Sequence, residues 1–217
     1  MKNQFFGLLL LCISLIPRPS IAHEPPDSGS VNLTVSVFND AGASPSVMAQ
    51  ARERTDFILR HSGISLIWLY CGTPANRPPD SGCSAISFPE HLSVRLVRTG
   101  SGGTQDTFGR SFQNVEGQGS YAVVYFELLA ASKSTLEIGT GDLLGSVIAH
   151  ELGHLLLGRD SHSPSGLMSP NWQTSQLRLA ARGRLFFTNE EQDRIRARYL
   201  AAGWKKASAG SIGPSGK

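Results

Sequence analysis

Apolar and polar positions along this chain fall into blocks with two different periods. Val31, Leu33, Val35 and Val37 alternate with Asn32, Thr34 and Ser36, the period-two signature of a strand with one buried face. Asn39 and Gly42 end that block. Ser44 and Pro45 suit an N-cap and a first helical position, and Val47, Met48, Ala51, Thr55, Ile58 and Leu59 then form a stripe near the helical repeat. Gly63 stands where a helix needs a left-handed terminator, and residues 64–70 read as a second strand. If both strands join one sheet, the pair should be parallel with a right-handed crossover.

Residues 92–97 read as a third strand. Residues 99–119 read as a loop, rich in Gly, Ser, Gln and Asn, with Phe108 and Phe112 as its only large anchors. The near-continuous apolar run over 121–129 predicts a fourth strand. Residues 142–157 form the strongest helical stretch, with Thr140 or Asp142 as its cap and Gly158 as its stop. Thr188-Asn189-Glu190-Glu191 is a capping box opening a last helix that puts Ile195 and Tyr199 on one face. There is no internal repeat. The expectation is an α+β fold: a small twisted mixed sheet of about four strands, an N-terminal strand–helix–strand unit, one long central helix and a C-terminal helix.

Composition changes the picture at both ends. Residues 1–22 combine Lys2, an apolar run over 5–16 and Ser20-Ile21-Ala22, the layout of a cleavable signal peptide and too short an apolar run for a membrane span. Its removal leaves 195 residues, a size for one domain over 23–206, and residues 207–217 are Gly/Ser-rich, as in a disordered tail. It also takes away Lys2 and Arg18, so the formal charge falls from +3 to +1. With no run of Lys and Arg, neither a nucleic-acid nor a membrane partner is expected. Cys12 goes with the signal, and Cys71 and Cys83 remain, bracketing a stretch with Pro74, Pro78 and Pro79. In an exported chain they are expected to form a disulfide; a two-thiolate metal site is the competing reading, without partners at zinc-finger spacing.

The chemistry is concentrated in His150-Glu151-Leu152-Gly153-His154. On a helix, positions i and i+4 share a face, so both imidazoles can reach one ion, while Glu151 lies at the rim of the same site. Chance would produce this HExxH pattern in roughly 0.7% of chains of such composition, so the pattern alone is moderately specific. The helix reading and the export signal add to it. His23, His61 and His91 fall in the leader, a helix end and a loop, and no catalytic role is assigned to them. Trp68 and Trp172 are read as core or wall, and Met48 as core. There is no GxSxG and no phosphate-binding glycine pattern.

The residues that follow, Gly158, Arg159, Asp160, Ser161, His162 and, further on, Met168, make the stretch 148–168 resemble the metzincin branch of zinc metalloproteases. There a helix ends at glycine, the chain doubles back with a third ligand, and a methionine turn lies beneath the metal. The resemblance implies a secreted zinc-dependent endopeptidase with His150 and His154 as zinc ligands, Glu151 as general base and Met168 as the Met-turn residue. The glycine falls one position later than in the family pattern and the histidine two later, leaving Asp160 at the family's third position. The third ligand is therefore His162 or Asp160, and if His162 ligates, Asp160 or Ser161 would support it from behind. By the same resemblance, 121–129 would be an edge strand that pairs with an extended substrate; its hydrophobicity fits a buried strand equally well. The implied partner is a protein or peptide substrate, cleaved by a monomeric protein in the extracellular or periplasmic space. The short stretch between residue 22 and the first strand leaves no room for an inhibitory pro-domain. The alternative function is a secreted zinc-binding interaction protein without catalysis.

Overall fold

The computed structural model describes residues 30–71, 80–98, 108–132 and 139–202. The expected signal peptide and C-terminal tail lie outside the described residues. The strands are β1 (Val31–Asn39), β2 (Ile64–Tyr70), β3 (His91–Val97), β4 (Gly109–Phe112) and β5 (Tyr121–Tyr125). The helices are α1 (Pro45–Arg60), α2 (Phe126–Ser132), α3 (Thr140–Leu157), α4 (Thr174–Ala181) and α5 (Asn189–Ala201). The five strands form one mixed sheet in the order β2-β1-β3-β5-β4. β1 pairs in parallel with β2 and β3, β3 in parallel with β5, and β4 antiparallel with β5. This is the α+β architecture expected, with one more strand.

The period-two pattern builds the sheet's packed face. Val31, Leu33, Val35 and Val37 are buried, and their registered neighbours Ile64, Leu92 and Val94 are solvent-free beside them. At the start of α1, Ser44 Oγ accepts a hydrogen bond from the Val47 amide at 3.3 Å, and Gly63 takes φ +76°, as its place after the helix requires. α3 packs against α1 and against β4 and β5, while α1 packs against β2. Leu144, Ile148, Leu152 and Leu155 have no solvent exposure, and burial of each contributes roughly 1.5–3 kcal/mol, which fixes the helix in height and rotation. Gly145 lets α1 close in: a Cβ there would stand 2.4 Å from the Ala51 carbonyl oxygen.

Four expectations are corrected. The fourth strand stops at Tyr125, and residues 126–132 turn into α2. An apolar run does not separate a buried strand from a buried helix, and Glu127, Leu128, Leu129, Ala130 and Ala131 are all good helix formers. β5 is interior, between β3 and β4, so it is not an edge strand. That edge is β4, inside the stretch read as loop. Neither Thr140 nor Asp142 caps α3: its N-cap is Gly139, without a side-chain cap bond. α4 was not foreseen; Gln173 and Gln176 form its capping box. The capping box of Thr188 and Glu191 opens α5 as expected. Cys71 and Cys83 are joined by a disulfide. Among the described residues, no helix is long and apolar enough to cross a membrane.

Candidate metal centre

With the leucine face of α3 turned into the core, positions 150 and 154 face the opposite way, toward a cleft of about 490 Å³. One wall is β4, with Arg110 and Ser111; the other runs from Ser169 to Trp172. Both histidines are held by their Nδ1 atoms. His150 Nδ1–H donates to the Leu167 carbonyl at 2.7 Å, and His154 Nδ1 is hydrogen bonded to Ser161 Oγ at 2.7 Å. The Nε2 atoms are thereby aimed at each other, 3.0 Å apart.

Burial keeps both rings neutral. It brings His150 down to about 4 against the pull of the Leu167 bond, and His154 down to about 3, with the neighbouring imidazoles adding to the effect. Desolvation also lowers His162, which stands at the cleft's exposed rim. Gly158 ends α3 at φ +82° and Asp160 adopts φ +51°, and through this turn His162 comes back over the helix. One ligating atom from each of His150, His154 and His162 lies within 4.8 Å of the others. Asp160 is exposed and outside this group; Ser161, buried, is the residue that supports His154.

These donors fit a metal ion. The bond from His150 Nδ1–H to the Leu167 carbonyl leaves the Nε2 lone pair turned toward His154, burial disfavours a positive charge on either ring, and two Nε2 atoms 3.0 Å apart are close enough to share one ion. Three neutral imidazoles are a donor set suited to zinc.

Glu151 is directed to the same cleft and is 4% exposed. Its carboxyl lies against the backbone of Gly109, where a Cβ would stand 2.5 Å from Oε1. Burial raises its pKa to about 8, while a hydrogen bond from Ser111 and the charge of Arg110 work the other way. Among the described residues, Oε2 has no hydrogen-bond partner. Without metal such a carboxyl holds its proton at neutral pH; a dication held by the imidazoles would favour the ionised form, which can take up and release a proton.

Met168 is fully buried beneath α3, in the gap left by Gly153, where a Cβ would stand 2.5 Å from its Sδ. The turn that carries it is closed by Ser163 N–H donating to the Met168 carbonyl at 3.1 Å. Trp172 stands edge-on to His150 and donates from Nε1 to the Leu167 carbonyl at 3.1 Å, sharing that acceptor with His150. Gln113 donates to the His154 carbonyl, tying the end of β4 to the helix that carries the imidazoles.

Gly109, Ser111 and Gln113 went unrecognised in the sequence. The small–large alternation of Gly109-Arg110-Ser111-Phe112 was the one available signal. His91, bonded to Ser36 at 2.7 Å, and His61, bonded to the Phe57 carbonyl at 2.8 Å, are held elsewhere. Trp68 is in the core, donating to Asp56 at 2.7 Å. His23 lies outside the described residues.

No known family profile matches the chain, and no curated protein does. Solved structures do. Archaemetzincin from Methanopyrus kandleri superposes with a TM-score of 0.52 at 14% identity, covering 82% of this chain and 99% of its own. A zinc-dependent peptidase from Methanocorpusculum labreanum gives 0.48 at 12% identity, covering 74% of this chain and 99% of that one. Metalloproteinase-II from Bacteroides fragilis gives 0.45 at 14% identity, covering 79% of this chain and 55% of that one. The archaemetzincin likeness establishes a shared fold.

Proposed function

We propose that this chain is a secreted zinc-dependent endopeptidase of metzincin type. His150, His154 and His162 would hold the metal, and Glu151 would be the general base. The observation that carries the reading is the convergence, in one cleft, of three imidazoles and the unpartnered Oε2 of Glu151. Archaemetzincin, whose fold the chain shares, is a metzincin by name, which supports the assignment.

When bound, zinc supplies Lewis-acid activation of water and of the scissile carbonyl. The chain's own residues do the rest. Leu167 and Ser161 fix both imidazole planes through Nδ1. Glu151 Oε2 accepts the proton of the attacking water and later passes it to the leaving amine. Ser111 and the Gly109 backbone hold that carboxyl in place. The outer edge of β4, unpaired among the described residues, offers main-chain groups for an extended peptide, laying the scissile bond over the cleft. Leu167 and Met168 close the floor.

Secretion rests on the layout of residues 1–22 and accords with the Cys71–Cys83 disulfide. The second reading, a zinc-binding protein without catalysis, leaves Glu151 Oε2 buried and unsatisfied to no purpose. A Glu151→Ala variant assayed on an unfolded protein substrate separates the two. The enzyme keeps its zinc and loses turnover by several orders of magnitude, and chelator abolishes wild-type activity. Zinc-loaded wild type that cleaves nothing overturns the proposal.

A further inference from the structure

β4 ends the sheet, and among the described residues its outer edge pairs with no strand. Its side chains alternate. Gly109 and Ser111 face Glu151 and the metal centre, so Arg110 and Phe112 stand on the opposite face of the strand. There they register with Val123 and Tyr121, and the Phe112 ring stacks on Tyr121 at 5.3 Å. Phe112 is nevertheless 46% exposed. Arg110 is exposed too, with no ion-pair or hydrogen-bond partner among the described residues. Among the described residues it is the one arginine bordering the cleft, and its charge reaches Glu151. An unpaired cation and a half-open aromatic ring, two residues apart on the strand beside the cleft, are available to whatever pairs with that edge.

A peptide added to β4 as a further strand also alternates its side chains. Those on the strand face shared with Arg110 and Phe112, opposite to Gly109 and Ser111, come to lie directly beside them, at about 4.5–5.5 Å between Cβ atoms. Antiparallel pairing is the more stable mode per residue, and in it the residue opposite Phe112 precedes the residue opposite Arg110 by two. Resting on the peptidase reading and extending it to substrate class, we propose that Arg110 and Phe112 select peptides with a bulky apolar side chain followed two residues later by an acidic one. The carboxylate pairs with the Arg110 guanidinium, and the apolar group covers the Phe112 ring.

The test uses short peptides blocked at both ends, so that the only carboxylate is a side chain. They carry Phe-Ala-Glu, Phe-Ala-Gln, Phe-Ala-Lys or the reversed Glu-Ala-Phe at mid-sequence. Cleavage by zinc-loaded wild type and binding to zinc-loaded Glu151→Gln protein are both measured. The Glu peptide is expected to exceed the Gln peptide about fivefold in kcat/KM and in affinity, the upper range for one cross-strand pair, with the Lys peptide weaker still. Arg110→Glu should invert the order of the Glu and Lys peptides with zinc content unchanged. Cleavage indifferent to charge overturns the selectivity and leaves the peptidase reading standing. Preferential binding without cleavage by wild type does the reverse. A reversed peptide that equals Phe-Ala-Glu overturns the proposal, as does an Arg110→Glu variant with the wild-type order.

Discussion

Gly109 on β4 and Glu151 on α3 occupy one space between them. A Cβ at position 109 would stand 2.5 Å from Glu151 Oε1 and 2.8 Å from its Cγ and Cδ. The strand that would hold the substrate is thus also the wall against which the base lies. Gly109→Ala should push the carboxyl off that wall. Since a misplacement of about 1 Å can cost roughly a hundredfold in rate, kcat should fall about a hundredfold with zinc content unchanged. Wild-type turnover in Gly109→Ala would mean that the base is not positioned there.

Gly153 sets up a competition between two opposing effects. Alanine in a helix interior is favoured over glycine by about 1 kcal/mol. The new Cβ, however, would meet Met168 Sδ at 2.5 Å and Phe187 Cε1 at 2.7 Å, and both side chains are buried. Overpacking of this kind costs about 1–3 kcal/mol, and neither neighbour has solvent to retreat into. Gly153→Ala should therefore lower the melting temperature despite its better propensity. Because Leu167, next to Met168, orients His150, zinc affinity should fall as well. Thermal unfolding with and without zinc reads both effects.

Long periodic segments of this fold were legible: β1, α1, β2, β3, α3 and α5 follow from period, caps and stops. The rest was hidden for identifiable reasons. β4 is four residues long, and half of it is glycine and serine, chosen for the room they leave Glu151 rather than for strand propensity. The apolar run after Tyr125 carries no period that separates strand from helix. HExxH spacing brought His150, Glu151 and His154 into view, since helical geometry alone sets their relation. The groups around them, Ser111, Gln113 and the carbonyl of Leu167, come from other elements and meet only in three dimensions.

His154 depends on Ser161 for the direction of its ring, through a 2.7 Å bond to a hydroxyl that is itself buried. Outer partners of this kind are worth about 10–100-fold in metal affinity. Ser161→Ala should weaken zinc binding within that range, measured by competition with a coloured chelator. His162→Ala should reduce it further, with loss of the third imidazole. Asp160→Asn, altering an exposed side chain away from the three imidazoles, should leave affinity within about twofold. A large loss in Asp160→Asn with none in His162→Ala would reverse the assignment of the third ligand.

Without metal, the buried ionisable groups should make stability depend on pH in two opposed ways. His150 and His154 have folded pKa values of about 4 and about 3, below the ordinary 6.5. Their contribution is present above 6.5 and is lost as the pH falls toward those values, because the unfolded chain then binds more protons. Glu151 lies at about 8, above the ordinary 4.5. Its contribution is present below 4.5 and is lost as the pH rises to 8, because the folded chain then holds the extra proton. In the window between 4.5 and 6.5 two histidines oppose one carboxyl, and the histidines prevail until they are half neutralised in the unfolded chain, near 6.5. The chelated protein should therefore melt highest around pH 6.5. Glu151→Gln removes the alkaline decline and leaves the acidic one. Melting temperatures in chelator at pH 5, about 6.5 and 8 for both proteins provide the check. A variant that declines above pH 6.5 as steeply as wild type would show that the proton is not on Glu151.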